Sequence, residues 1–102
     1  MTELIFLHSA DADIQAAFEY YEEVQPGRGE VFMQHLDAAV GGLKTFPEIA
    51  RVFSGSYRRL LVPGHPYGVF YSVVGRRVIV SAVMDLRQNP ETIRRRLGIR
   101  ED

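Results

Sequence analysis

The sequence predicts an α+β fold in which a two-helix hairpin comes first and a four-stranded antiparallel β-sheet follows. Three observations lead there. Apolar residues between positions 14 and 43 recur at helical spacing, those between 57 and 84 fall into three short runs, and proline and glycine punctuate the joins. At 102 residues and 46% hydrophobic content the chain suits one core, so residues 1–102 are read as a single domain.

Glu3 to Leu7 (ELIFL) is a short apolar run bounded by polar residues, which predicts a buried strand. Ser9 is the expected N-cap of a helix beginning near Ala10, with Asp11 and Asp13 in its first turn. Ile14, Ala17, Phe18 and Tyr21 form the apolar stripe of that helix, and Gln15, Glu19, Glu22 and Glu23 give it an acidic outer face. Pro26-Gly27-Arg28-Gly29 ends it. Phe32, Leu36, Ala39, Val40 and Leu43 carry a second helix as far as Phe46, ahead of Pro47. The short connection makes the pair antiparallel. Gly41-Gly42 inside the second helix predicts a close backbone approach to the sheet.

Residues 47–55 lack a period and read as a loop. Tyr57 to Val62, Tyr67 to Val74 and Arg77 to Met84 are then strands of an antiparallel meander, joined by turns at Pro63-Gly64-His65-Pro66 and Gly75-Arg76. The alternation puts Val78, Val80, Ala82 and Met84 on one face of the last strand and Ile79, Ser81 and Val83 on the other, so this strand is expected inside the sheet. Asn89-Pro90 marks a turn before a short C-terminal helix, Glu91 to Leu97, stopped by Gly98.

The net charge of −1 hides an asymmetry. Residues 1–50 hold nine acids and two bases, net −7, whereas residues 51–102 hold ten arginines and four acids, net +6. Such a dipole orients an acidic partner or a phosphate backbone against the second half, and arginine favours planar, bidentate contacts. With no cysteine there is neither a disulfide framework nor a thiolate metal site. No segment reaches the roughly 20 apolar residues of a membrane span, and the N-terminal apolar run is shorter than a secretion signal, so a cytoplasmic protein without membrane contact is expected. Phosphate-loop, dinucleotide-binding and nucleophile-elbow motifs are missing, and His8, His35 and His65 lie on different elements without ligand spacing. Neither cofactor nor metal is expected.

Several features occur together in a fixed order: Tyr20-Tyr21-Glu22 at the end of the first helix, Pro26-Gly27-Arg28-Gly29, Phe32, Phe46-Pro47, Arg58-Arg59, Pro66-Tyr67 with Val69 and Tyr71, Ala82-Val83, and Arg87 with Pro90 after it. In these the chain from His8 to Leu97 resembles the RelE/ParE family of type II toxin-antitoxin toxins, and more closely its ParE branch. The resemblance implies a RelE/ParE toxin-like fold and a role such as plasmid stabilisation. It implies a toxin that poisons DNA gyrase, is neutralised by a ParD-like antitoxin in a hetero-oligomer, and meets operator DNA only through that antitoxin. The alternative branch implies a metal-independent, ribosome-dependent endoribonuclease acting on messenger RNA, for which Arg58, Arg59, Arg87, Tyr71 and His65 are the candidates. A third reading is an inactive relative kept for autoregulation.

RNA cleavage needs cations for the phosphorane charge and a group to move the 2′-hydroxyl proton. In the RelE branch an arginine is expected where this chain has Gly68, and many relatives carry a histidine where it has Asp85, a second arginine where it has Gln88 and a tryptophan where it has Ile93. These departures favour a binding face over a nuclease site. Its candidate partner-binding residues are Arg58, Arg59, Arg87, Arg94 and Arg95. Arg87 is expected to matter more for toxicity than Arg100, at the chain's end.

Overall fold

A computed structural model describes residues 2–99, so Arg100 lies outside the described residues. The chain runs β1 (Glu3–Phe6), α1 (His8–Val24), α2 (Arg28–Gly41), a 3-10 turn (Gly42–Lys44), β2 (Arg51–Ser54), β3 (Tyr57–Leu61), β4 (Tyr67–Val74), β5 (Arg77–Asp85) and α3 (Pro90–Arg96). The fold is α+β as expected. Its sheet, however, has five strands in the order β1-β5-β4-β3-β2, and β1 pairs with β5 in parallel.

Both differences have local causes. β2 lies in the stretch read as a loop because it is a four-residue edge strand with Arg51 and Val52 exposed and a register shift before Ser54, so it has no buried period to detect. β1 passes into α1 through the single residue Leu7, and α1 packs back over β5. That reversal holds β1 alongside β5 in the parallel sense, with Leu7 N donating to Val80 O at 3.0 Å. Ser9 consequently sits inside the first helical turn and is no cap. α1 starts at His8 with Leu7 in the cap position and no side-chain cap.

The hairpin turn is built by Glu22. Its Oε2 accepts from Gly27 N and Gly29 N, both at 2.8 Å, which satisfies amides that the start of α2 leaves open. The close approach expected at Gly41-Gly42 lies at Gly29 instead. A Cβ on Gly29 would stand 2.7 Å from Phe18 Cδ2 and 2.9 Å from Glu22 Cγ, whereas nothing comes within 4 Å of one on Gly41 or Gly42. Small size is needed where the helices cross, and the later pair faces open space.

The hairpin covers one sheet face and α3 the other. Phe32, Leu36, Val40 and Leu43 pack with Val69, Tyr71, Val78, Val80 and Val83 beneath the hairpin. Phe70, Ala82, Met84, Ile93 and Leu97 form the second cluster under α3. Full burial of each large apolar side chain contributes about 1.5–3 kcal/mol. The predicted faces of β5 hold only for its first half. Phe70 pairs with Ala82 and Tyr71 with Val80, leaving Ser81 as an extra residue, and this bulge inverts the alternation. Val83 therefore joins Val78 and Val80, while Ala82 and Met84 turn to α3.

β5 keeps its place inside the sheet, but β1 pairs with it only as far as Val80. Beyond that point α1 covers the edge. Ser9 Oγ donates to Ser81 O at 2.9 Å, and Asp13 Oδ2 accepts from Val83 N at 3.0 Å. Asp13 also accepts from Arg96 Nη2 at 2.7 Å, tying α1 to α3 across the end of the sheet. Asn89 caps α3 by accepting from Glu91 N at 2.9 Å, and Pro90, expected in the turn before the helix, is its first residue, because the start of a helix needs no N–H from it. No helix among the described residues is long and apolar enough to cross a membrane.

Candidate functional site

The face that carries α3 sets two arginines against one ring. Phe53 of β2 packs edge-on to buried Phe70, with centroids 5.1 Å apart. The guanidinium carbons of Arg59 on β3 and Arg94 on α3 each lie 5.7 Å from the Phe53 centroid. Arg51 stands directly opposite Arg59 in the β2–β3 register, and both are exposed. Like charges directly opposite across a ladder destabilise it. Arg94 approaches Glu91 at 3.8 Å, and Arg95 is exposed on the same helix. Gly68 belongs to this face. A Cβ there would meet Leu86 at 2.9 Å and the Arg59 stem at 3.2 Å, so those two chains fill the space that a longer residue would need.

Arg58 points the other way and is held within the molecule. Its Nη1 donates to Ala50 O at 2.8 Å and Glu48 O at 3.1 Å, and its Nη2 to Glu48 Oε2 at 3.3 Å, fastening the segment before β2. Tyr71, opposite Arg58 in the β3–β4 register, is fully buried. Burial pushes its phenol up from the ordinary value, with the Ala50 backbone and Arg58 pulling down. The Ala50 backbone is near, but no hydrogen bond of good geometry reaches the hydroxyl among the described residues.

Arg87 closes on Asp85. Its backbone N donates to Asp85 Oδ1 at 2.8 Å, Nε to Oδ1 at 3.0 Å and Nη2 to Oδ2 at 2.7 Å. The side-chain hydrogen bond from Arg87 holds the Asp85 carboxyl below its ordinary value against the opposing effect of burial, and raises Arg87 in turn. Nearby, Tyr21, Phe32, His65 and Tyr67 form an aromatic cluster at the hairpin end of the sheet. His65 Nδ1 is 3.0 Å from the Tyr21 hydroxyl and its Nε2 2.8 Å from His35 Nδ1. Burial lowers His65 first, and His35 and Arg28 add to the effect.

The five nuclease candidates are therefore spread over different surroundings: Arg59 on the α3 face, Arg58 and Tyr71 on the hairpin side, His65 on the β3–β4 turn and Arg87 in its own ion pair. Of the partner-binding candidates, Arg59 and Arg94 meet at Phe53 and Arg95 is exposed on α3, while Arg58 and Arg87 are engaged internally. Sequence reasoning missed Arg51, whose signal was hidden with β2, and the meeting of His35 with His65, which sequence spacing does not betray. No group of three or more His, Cys, Asp or Glu able to hold a metal ion occurs among the described residues.

Residues 4–90 match the family described as ParE toxin of type II toxin-antitoxin system, parDE. Among solved structures, a chain of the chromosomal ParDE TA system from P. aeruginosa superposes with a TM-score of 0.76 at 19% identity, covering 85% of this chain and 98% of that one. At that identity the likeness bears on the fold. No curated protein matches.

Proposed function

Because the chain belongs to the ParE toxin family of type II toxin-antitoxin systems, we propose that it arrests growth by binding DNA gyrase and is neutralised by a ParD-like antitoxin. The observation that carries this reading is the arginine face. Arg51 and Arg59 oppose each other on an exposed ladder, and Arg59 and Arg94 are positioned against Phe53. A repulsive pair kept at a cost to the sheet gains from carboxylates that bridge it. A disordered acidic and apolar antitoxin segment brings such groups and orders as it docks. Arg95 is exposed on the same helix as Arg94. Operator DNA is reached only through the antitoxin. The solved relative comes from a ParDE system, which supports a partner of this kind.

The dispersed positions of Arg58, Arg59, Arg87, Tyr71 and His65 favour binding over cleavage, because phosphoryl chemistry needs its cation and its proton carrier around one phosphate. Induction of the chain without its antitoxin tests the reading. Growth arrest with gyrase-linked DNA breaks and intact messages is expected. Codon-positioned cuts in translated messages would replace the gyrase target with the ribosome, and normal growth at confirmed expression would leave an inactive relative.

A further inference from the structure

His35 Nδ1 and His65 Nε2 face each other at 2.8 Å, and the surroundings prepare one of the two rings for a further task. His65 sits on the β3–β4 turn with Phe32 and Tyr21 edge-on to it, both at 5.2 Å between centroids. Its Nδ1 lies 3.0 Å from the Tyr21 hydroxyl. An imidazole that donates Nδ1–H to a fixed oxygen keeps its lone pair on Nε2, which is how metal-ligating histidines are oriented by their outer partners. His35 comes from an exposed position on α2, where its side chain has freedom to adjust.

We infer that His35 and His65 form a two-histidine site for a transition metal ion, Zn²⁺ or Cu²⁺, that bridges α2 to the β3–β4 turn. Two bonds of about 2.0–2.1 Å at a tetrahedral ion set the nitrogens roughly 3.3 Å apart. The imidazoles open by about half an ångström from the present contact, and exposed His35 supplies the movement. The proton balance is simple. With His65 keeping its proton on Nδ1 toward Tyr21, the 2.8 Å contact is a hydrogen bond from His35 Nδ1–H to His65 Nε2. Binding breaks it, the His35 proton passes through solvent to its own Nε2, both rings stay neutral and no proton is released on balance. Water completes the coordination through two open grooves, one beside His35, Ala38, Ala39, Pro63 and Gly64 and the other beside Tyr21, Arg28 and Val31.

Neither groove has a carboxylate among its described lining residues, and Arg28 stands in one of them. Hard cations that seek oxygen, such as Mg²⁺ and Ca²⁺, find nothing to hold them, whereas imidazole donors suit zinc and copper. With only two protein ligands, the ion exchanges readily with solvent.

Calorimetric titration of the untagged chain with zinc chloride near neutral pH tests this. One ion per chain is expected to bind, Tyr21→Phe is expected to weaken binding about tenfold by removing the outer partner, and His35→Ala to abolish it. His8→Ala is expected to bind as the parent chain does, and magnesium chloride to give no heat. With copper, the electron paramagnetic resonance spectrum is expected to carry nitrogen hyperfine structure that His35→Ala removes. A circular dichroism melt of His35→Ala establishes that the variant is folded, and His35→Asn repeats the measurement with a polar side chain. Absence of zinc binding, binding unchanged in both His35 variants, or magnesium binding as strong as zinc would overturn the inference.

Discussion

Removing the Asp13 carboxylate takes the acceptor from the Val83 amide and the Arg96 guanidinium at once. Asp13→Ala is expected to cost about 2 kcal/mol, because the amide of buried Val83 loses its carboxylate acceptor. A melt should show a fall of roughly 10 °C. Glu3→Ala, which breaks a mostly exposed pair with Arg77 at 3.4 Å, is expected to stay within about 0.5 kcal/mol. Asp85 supplies the pH dependence. Its carboxyl is held below the ordinary 3.8 by Arg87, so between the folded and unfolded values the unfolded chain binds more protons. Its contribution is complete above 3.8 and fades as the pH falls through the folded value. Asp85→Asn should therefore flatten the acid limb of a stability-pH curve below 3.8, and an unchanged limb would count against the ion pair.

The hairpin offers a contrast between two kinds of glycine in nearly the same setting. Gly29→Ala drives a methyl into Phe18 and Glu22 and disturbs the carboxylate that holds the turn, so a loss of about 1–3 kcal/mol is expected in chemical denaturation. Gly42→Ala meets open space at φ −64° and should gain about 0.5–1 kcal/mol. Both helices were legible because Ile14, Ala17, Phe32, Leu36 and Val40 keep the helical period through to a buried face. β2 was not, since an edge strand bearing Arg51 and Val52 on its exposed side leaves no alternation to read. The faces of Ala82, Val83 and Met84 were hidden for a different reason. A bulge depends on which residue the neighbouring strand leaves unpaired, and that information lies in β4. The arginines of the candidate face were visible one by one, but their convergence on Phe53 depends on how β2, β3 and α3 come together.

Charge acts over the whole molecule, with the acidic outer face of α1 in one half of the sequence and the arginine-bearing strands and α3 in the other. Encounter with the proposed acidic antitoxin segment should slow as salt rises, since exposed charges more than about 10 Å apart are screened near 0.1 M. The double change Arg51→Glu and Arg59→Glu should weaken the complex about tenfold, chiefly through slower association, without lowering thermal stability. Equal affinity in surface plasmon resonance would remove that face from the interface. The parallel ladder bears on the order in which the protein is made. Glu3 to Phe6 are made well before their partners Arg77 to Val80, which lie on the last of the five described strands. Until then the opening strand has no ladder and α1 has neither Ser81 nor Val83 to engage. The parallel ladder therefore closes only once β5 has been made.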